Sequence, residues 1–144
     1  MKKPLIVIAG PTASGKTAVS VLLAQRIGGE IISADSMQVY RHMDIGTAKI
    51  KKEEMGGIAH YLIDEWDPDE PFHVMAFQKK AKEYLRQIVG RGKYPILVGG
   101  TGFYINALVY DTAFSEGEED RTVRDKLERD AKEKGAIYLH EKLK

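Results

Sequence analysis

The sequence predicts an α/β fold in which helices flank a parallel β-sheet. Short runs of strand length alternate with segments whose apolar residues recur at helical spacing, which is the pattern of strands joined by crossover helices. A glycine-rich octapeptide between the first strand and the first helix has the pattern G-x-x-x-x-G-K-[ST]. Together these observations predict a sheet of the P-loop NTPase type, with its ligand at the carboxyl ends of the strands.

Four short runs are predicted to form the strands of this sheet. They are Leu5–Ala9, Glu30–Ala34, His60–Ile63 and Pro95–Val98. Helices are predicted at Lys16–Ile27, Val74–Val89 and Phe103–Val109. The apolar face of the first helix would be Val19, Leu22, Leu23 and Ile27, and that of the second Val74, Phe77, Ala81, Leu85 and Ile88.

A change in composition after about Asp111 predicts a second region. Residues 115–120 are acidic, and charges of both signs alternate from Arg121 to Lys134. This pattern predicts a mostly solvated helix with i,i+4 ion pairs such as Glu128–Lys132, which Gly135 ends. We therefore divide the chain into residues 1–114, an incomplete α/β core, and residues 115–144, the start of a helical insertion. Because small P-loop enzymes usually have a fifth strand, we expect the chain to be truncated relative to a longer protein.

Composition excludes several classes of function. The chain has 144 residues, of which 43% are hydrophobic, so a packed core is expected. It has no cysteine, which excludes disulfides and cysteine-ligated zinc sites. A net charge of +1 neither requires nor excludes a nucleic-acid partner. No apolar run approaches the roughly 20 residues that span a bilayer, so we expect a cytoplasmic protein without a membrane partner.

The octapeptide is predicted to bind a diphosphate or the phosphates of a nucleotide. Its residues are Gly10, Pro11, Thr12, Ala13, Ser14, Gly15, Lys16 and Thr17. Backbone amides of the loop and the positive end of the helix dipole would converge on the anion. Lys16 would add a positive charge at the terminal phosphates, and the Thr17 hydroxyl is placed to hold Mg²⁺, the cofactor that this motif predicts.

Two other strand ends carry polar residues that would face the same crevice. Asp35 follows the second strand and could bind Mg²⁺ through water, accept a proton from a nucleophile, or merely cap a turn. The Gln38 amide suits an adenine edge, although an ordinary surface glutamine is the simpler interpretation of that residue alone. Thr101 ends the fourth strand, where most nucleotide hydrolases have an acidic metal ligand, and this weakens the case for ATP hydrolysis. The loop Ile45–Lys49, which contains one cation, is compatible with a purely structural role.

Segments along nearly the whole chain resemble the bacterial tRNA dimethylallyltransferases, also called tRNA isopentenyltransferases. They are G-P-T-A-S-G-K-T at Gly10–Thr17, D-S-M-Q-V-Y-R at Asp35–Arg41, D-I-G-T-A-K at Asp44–Lys49, H-Y-L-I-D at His60–Asp64 and G-G-T-G-F-Y at Gly99–Tyr104. The loop is common to many families. Asp-Ser-x-Gln-x-Tyr followed by Gly-Thr-Ala-Lys is far more specific, and the resemblance depends mainly on it.

This resemblance implies transfer of a dimethylallyl group from dimethylallyl diphosphate to N6 of adenosine 37 in tRNA. Asp35 matches the general base of the family, and Thr101 matches a residue near the amine and the leaving group. The residues that match the family's tRNA contacts are Asp35, Ser36, Met37, Gln38, Thr101 and Arg124. The partners implied are therefore the anticodon stem-loop of tRNA and dimethylallyl diphosphate, and we expect the enzyme to be a monomer.

The sequence also departs from the family pattern. His73 stands where the family often has a small hydroxyl residue, and the family's helical insertion would begin near Asp120 and continue beyond Lys144. Two other functions remain compatible with the residues. A small-molecule kinase of the shikimate or gluconate type would share the loop and the fold but use ATP. A regulatory module that binds a nucleotide without chemistry would have no need of Asp35.

Overall fold

The computed structural model describes residues 3–114 and 121–143, which divide into two compact units at Thr112 and Ala113. In the first unit, four parallel strands form one sheet in the order β1-β4-β2-β3. The strands are β1 (Ile6–Ala9), β2 (Gly29–Ser33), β3 (His60–Tyr61) and β4 (Tyr94–Gly99), and the helices are α1 (Lys16–Ile27), α2 (Val74–Gly90) and α3 (Gly102–Val109). A short 3-10 helix covers Lys52–Met55. The prediction of a parallel sheet with crossover helices is confirmed.

The third strand is shorter than the sequence predicts. It ends at Tyr61 because Leu62 adopts a left-handed conformation, with φ of 61°. The Leu62 amide donates to the Glu65 carboxylate at 2.6 Å and not to a neighbouring strand. The chain therefore leaves the sheet here, and the Asp64 amide donates to the backbone oxygen of Gln38 at 3.1 Å. This turn connects the region after β3 with the segment that follows β2.

Each face of the sheet has its own core, because alternate side chains of a strand point to opposite faces. On one face, Ile32 and Leu97 belong to a buried cluster with Phe77 of α2 and Tyr104 of α3. The predicted face of α2 is confirmed, since Phe77, Ala81 and Ile88 are buried and Val74 and Leu85 are packed against the cluster. On the other face, the buried cluster contains Val21, Ala24, Ile31, Ile50, Ile96 and Val98.

The predicted apolar face of α1 is partly wrong. Val19 and Leu22 are 55% and 59% exposed, whereas the helix buries Ser20, Val21 and Ala24. The Ser20 hydroxyl donates to the Thr17 carbonyl at 2.7 Å, so burial leaves this group with a hydrogen bond. Small residues thus bring α1 close to the sheet, and larger apolar residues on its flank remain in contact with solvent.

A histidine caps the start of α2. His73 is the N-cap residue, and its Nδ1 accepts a hydrogen bond from the Ala76 amide at 3.3 Å. A serine or threonine hydroxyl usually has this role at a helix start. The imidazole therefore caps the helix in place of the small hydroxyl residue that the family resemblance leads us to expect at this position.

The second unit contains the helical segment α4 (Arg121–Lys142), which is interrupted at Gly135, where φ is 80° and ψ is 171°. The predicted break at this glycine is confirmed. The Glu128 carboxylate accepts a hydrogen bond from Arg124 at 3.1 Å, so its i,i+4 partner is not the predicted Lys132. The acidic stretch 115–120 lies outside the described residues. Among the described helices, none combines the length and the apolar character needed to cross a membrane.

A buried carboxylate forms ion pairs at the amino-terminal end of the sheet, on the side away from the cleft-forming strand ends. The Glu30 side chain is 5% exposed and contacts Arg91 at 2.6 Å and Lys93 at 2.9 Å. The Tyr61 hydroxyl also donates to it at 2.8 Å. Burial by itself would raise the pKa of Glu30, but hydrogen bonds from Arg91, Lys93 and Tyr61 outweigh it and lower the pKa to about 2. The charged form of Glu30 therefore stabilises the folded state.

We expect the Glu30→Gln variant to lose about 3 kcal/mol of free energy of unfolding at pH 7, since a pKa of about 2 in place of 4.5 corresponds to that amount. The contribution is complete above pH 4.5 and is lost as the pH falls towards 2. Urea unfolding at pH 7 and pH 3 measures it, with Asp69→Asn at an exposed carboxylate as control. A difference from the unchanged protein that is equal at both pH values would contradict this role.

Candidate active site

A cleft of about 780 Å³ lies at the carboxyl ends of the strands. Its lining includes the loop residues from Pro11 to Thr17, the segment Asp35 to Gln38, and Thr101. The structure thus brings three predicted segments, each following a different strand, to one cavity. Gly10 immediately precedes the lining residues of the loop. Arg124 belongs to the second unit, where its side chain is 71% exposed.

The glycine-rich loop leads directly into α1. Gly15 is the N-cap residue with φ of 83°, a conformation that glycine adopts without strain. No side chain caps this helix start, and its first turn contains no acidic residue among those described. The first amides of α1 therefore remain available to an anion, which the helix dipole also favours. This geometry is what the sequence predicts for a phosphate-binding loop.

Lys16 folds back over the loop that precedes it. Its Nζ donates to the Pro11 carbonyl at 2.5 Å and lies 3.4 Å from the Ser14 hydroxyl. Ser14 donates to the same carbonyl at 2.7 Å. The ammonium group therefore lies in the cleft. An anion that binds there would replace the Pro11 carbonyl oxygen as the hydrogen-bond acceptor of Lys16.

The Asp35 carboxylate caps the turn after β2. Its Oδ1 accepts hydrogen bonds from the Met37 amide at 2.8 Å and the Gln38 amide at 3.2 Å. No hydrogen bond within residues 3–114 reaches Oδ2 of the same carboxylate. The turn-capping interpretation is therefore correct for Oδ1, while Oδ2 has no competing hydrogen-bond donor among the described residues. A single side chain can both shape the turn and accept a proton.

Thr101 is held next to this turn by contacts between the ends of β2 and β4. Its hydroxyl oxygen accepts from the Ser36 amide at 3.2 Å, and its amide donates to the Ala34 carbonyl at 3.2 Å. A Cβ on Gly99 would lie 2.2 Å from that carbonyl oxygen, so only glycine permits this approach. The Thr101 hydroxyl keeps its own proton to donate to a bound ligand.

The helix after Thr101 is anchored by a buried tyrosine. Tyr104 is 6% exposed, and its ring stacks on Phe77 with centroids 4.6 Å apart. Burial raises the pKa of the Tyr104 hydroxyl, and the nearby acidic groups of Tyr40 and Asp35 raise it further. The hydroxyl therefore stays neutral, and the buried ring anchors α3, the helix that directly follows Thr101.

The Gln38 amide connects two walls of the cleft. Its Oε1 accepts from the Ser33 hydroxyl at 3.3 Å, and its Nε2 donates to the Thr47 and Ala48 carbonyls at 3.0 and 3.3 Å. Gln38 lines the cleft, as the sequence predicts for a residue that reads a base. Its amide is also part of the protein framework, which the sequence does not indicate.

One wall of the cleft was missed by the sequence interpretation. Gly46, Thr47 and Ala48 line the cavity, although their loop was compatible with a purely structural role. The glycine within D-I-G-T-A-K could have indicated a bend in this loop, because Gly46 has a left-handed backbone with φ of 79°. This wall is connected to Gln38, so it belongs to the same site.

A metal in this cleft would depend mainly on oxygen atoms of the ligand. Within the described parts of the chain, no group of three or more histidine, cysteine, aspartate or glutamate residues could hold an ion. Thr17 is among the residues that line the cleft. Mg²⁺ commonly binds through one or two protein oxygens together with phosphate oxygens and water. The residues present therefore fit Mg²⁺ bound together with a diphosphate.

Comparisons with known proteins agree on one family. The IPP transferase family model matches residues 38–144. A tRNA dimethylallyltransferase of Lachnoclostridium phytofermentans is 58% identical over 99% of this chain and 45% of its own length. One from Acetivibrio thermocellus is 57% identical over 97% of this chain and 45% of its own length. The chain thus spans about half the length of the curated relatives it matches.

Solved structures show the same likeness. The full-length tRNA isopentenylpyrophosphate transferase from Bacillus halodurans is 51% identical with a TM-score of 0.78, covering 99% of this chain and 47% of that one. The tRNA delta(2)-isopentenylpyrophosphate transferase from Staphylococcus epidermidis is 53% identical with a TM-score of 0.75, covering 89% and 42%. A eukaryotic dimethylallyltransferase acting on tRNA has a TM-score of 0.72 at 37% identity, covering 84% and 29%.

Proposed function

The chain belongs to the IPP transferase family, and on that basis we propose that it provides the catalytic core of a tRNA dimethylallyltransferase. The reaction moves a dimethylallyl group from dimethylallyl diphosphate to N6 of adenosine 37 in tRNA. The observation that carries this proposal is the single cleft that contains an anion-binding loop, the Asp35 carboxylate and the Thr101 hydroxyl. We expect a cytoplasmic, monomeric enzyme that contains this core.

In this proposal the loop from Gly10 to Thr17 holds the diphosphate. Breaking the allylic carbon–oxygen bond leaves negative charge on the departing oxygen, and preorganised donors lower the barrier most where charge develops. Lys16 and the first amides of α1 supply those donors. The Thr17 hydroxyl would hold Mg²⁺ together with diphosphate oxygens, and the ion would supply further charge neutralisation when bound.

Asp35 is proposed as the general base. The N6 amine is a weak nucleophile, because its lone pair is delocalised into the purine ring. As its nitrogen forms the bond to the allylic carbon, the amine loses a proton. Oδ2 of Asp35 can accept that proton, because no hydrogen-bond donor within residues 3–114 occupies this oxygen. The Thr101 hydroxyl can donate to the leaving group or orient the amine. Diphosphate departs with the electron pair of the broken carbon–oxygen bond.

The segment from Asp35 to Gln38 is proposed to receive the adenine. A stacked base cannot enter a cleft at the strand ends, so the nucleotide must be extruded from the anticodon loop. Ser36, Met37 and Gln38 line the cavity where the extruded base would lie. Arg124, whose side chain is 71% exposed, is proposed to contact the RNA through the second unit.

The test is transfer by the full-length protein. It is incubated with Mg²⁺, labelled dimethylallyl diphosphate and an anticodon stem-loop with adenosines at positions 36, 37 and 38. We expect label on the RNA at adenosine 37 and none on a matched stem-loop with guanosine at that position. The absence of label on the adenosine substrate, together with ATP-dependent phosphorylation of a metabolite, would overturn the proposal.

A further inference from the structure

The loop Asp44–Lys49 forms a wall of the cleft for which the proposed function gives no role. Gly46, Thr47 and Ala48 line the cavity. Two residues of this loop have left-handed backbones, with φ of 79° at Gly46 and 51° at Ala48. Such a conformation costs free energy at a residue other than glycine, so surrounding contacts must maintain it. The contacts that maintain this wall therefore help to determine the shape of the site.

Lys49 provides the main contacts. Its side chain is 5% exposed, and its Nζ donates to Asp44 Oδ1 at 2.8 Å, Asp64 Oδ1 at 2.5 Å and the Tyr40 carbonyl at 2.8 Å. An ammonium group has three protons, so these acceptors use its full donor capacity. The buried ammonium group of Lys49 thus connects the end of the loop to Asp44 at its start, and to the segments that contain Tyr40 and Asp64.

These contacts continue to the segment that carries Asp35. The Asp64 amide donates to the Gln38 carbonyl at 3.1 Å, and the Gln38 amide nitrogen donates to Thr47 and Ala48. The hydrogen bonds therefore run from the loop through Lys49 and Asp64 to Gln38 and back to the loop. This closed set of contacts fixes the distance between the two walls.

The charge of Lys49 is stable in these surroundings. Burial by itself would lower the pKa of Lys49, but hydrogen bonds to Asp44 and Asp64 outweigh it and raise the pKa. The two carboxylates are 69% and 51% exposed, so water solvates both of them. Removing the ammonium group would release the loop while leaving two hydrated carboxylates, and the rest of the fold would persist.

We infer that Lys49 is a positioning residue of the candidate active site, which fixes the wall Gly46–Ala48 against the segment Asp35–Gln38. Lys49 is not among the residues that line the cavity, so it acts through the loop and through Asp64. Its effect on catalysis rests on the proposed function, whereas its effect on the loop does not.

Hydrogen–deuterium exchange tests the structural part of this inference. In the Lys49→Met variant we expect the amides of Arg41 and Asp64 to exchange about tenfold faster or more. These amides donate to the Trp66 and Gln38 carbonyls at 2.8 and 3.1 Å, and local opening there no longer breaks the three hydrogen bonds of Lys49. The amides of α1 should exchange at unchanged rates. Lys52→Met, three residues further on and exposed, is the matched control and should leave both regions unchanged. Equal exchange in Lys49→Met and the unchanged protein would overturn the inference.

Steady-state kinetics of the full-length protein test the catalytic part. In Lys49→Met we expect kcat to fall about tenfold to a hundredfold, since a misplaced wall misorients the reacting groups. The KM for dimethylallyl diphosphate should change little, because the phosphate-binding loop is intact. Asp44→Asn, whose side-chain oxygen can still accept from Lys49, should retain most of kcat.

The outcomes separate the inference from the proposed function. Faster exchange at Arg41 and Asp64 with an unchanged kcat would overturn the positioning role. If the unchanged protein transfers no dimethylallyl group, the proposed function fails, and the exchange comparison still decides whether Lys49 holds the wall. Should Lys49→Met not fold, Asp44→Ala removes one acceptor from an exposed position and gives the same comparison with a smaller increase in exchange.

Discussion

The Asp35→Asn variant is expected to transfer the dimethylallyl group about 10²–10⁴-fold more slowly than the unchanged full-length protein. An asparagine oxygen can still accept from the Met37 and Gln38 amides, as Asp35 Oδ1 does at 2.8 and 3.2 Å. The turn after β2 therefore remains, while the group proposed to accept the amine proton is removed. Single-turnover transfer with both substrates saturating measures the chemical step directly.

A comparison with Asp35→Ala separates the two roles of this residue. Alanine removes both the proton acceptor and the turn cap, so that variant should also bind the RNA more weakly and melt at a lower temperature. Affinity of Asp35→Asn for dimethylallyl diphosphate should be unchanged, because the phosphate-binding loop is untouched. If Asp35→Asn transfers at the normal rate while only Asp35→Ala is slow, the carboxylate serves the turn alone.

Replacing Lys16 is expected to have the second largest effect. In Lys16→Met we expect a fall of about 10²–10³-fold in kcat, the range found when one donor to a developing negative charge is removed. The affinity for dimethylallyl diphosphate should also fall, since methionine fills a similar volume without charge. Calorimetric titration with inorganic diphosphate and Mg²⁺ measures binding separately from transfer.

The control for this variant is Lys52→Met, which removes one positive charge from an exposed position outside the cleft. It should bind diphosphate with normal affinity, so a general loss of positive charge cannot account for the effect of Lys16→Met. Equal diphosphate affinity in Lys16→Met and the unchanged protein would show that the loop serves another ligand.

The parts of the site that follow from local sequence were predictable. A strand, a glycine-rich turn and a helix start occupy adjacent residues, so the loop geometry around Lys16 follows from its motif alone. Asp35 and Thr101 directly follow strands, and the carboxyl ends of parallel strands meet at one edge of the sheet. Their proximity, joined by the Ser36 amide and the Thr101 hydroxyl at 3.2 Å, is a consequence of topology.

Features that depend on contacts between distant segments were not predictable. Periodicity alone identified Val19 and Leu22 as the buried face of α1, whereas the smaller Ser20 and Ala24 allow the closer approach to the sheet. The left-handed conformation of Leu62, which shortens β3, has no clear signal in a leucine. Lys49 and Asp64 are fifteen residues apart, and their ion pair exists only because the chain turns back after β3.

The folded-back position of Lys16 has a consequence for selectivity among metabolites. Its ammonium group already has a good partner, the Pro11 carbonyl at 2.5 Å. An alcohol or amide offers an oxygen no better than that peptide group and gains little by displacing it, whereas a polyanion gains strongly. We therefore expect the cleft to select anionic ligands by their charge, and neutral compounds of the cell to be poor competitors for it.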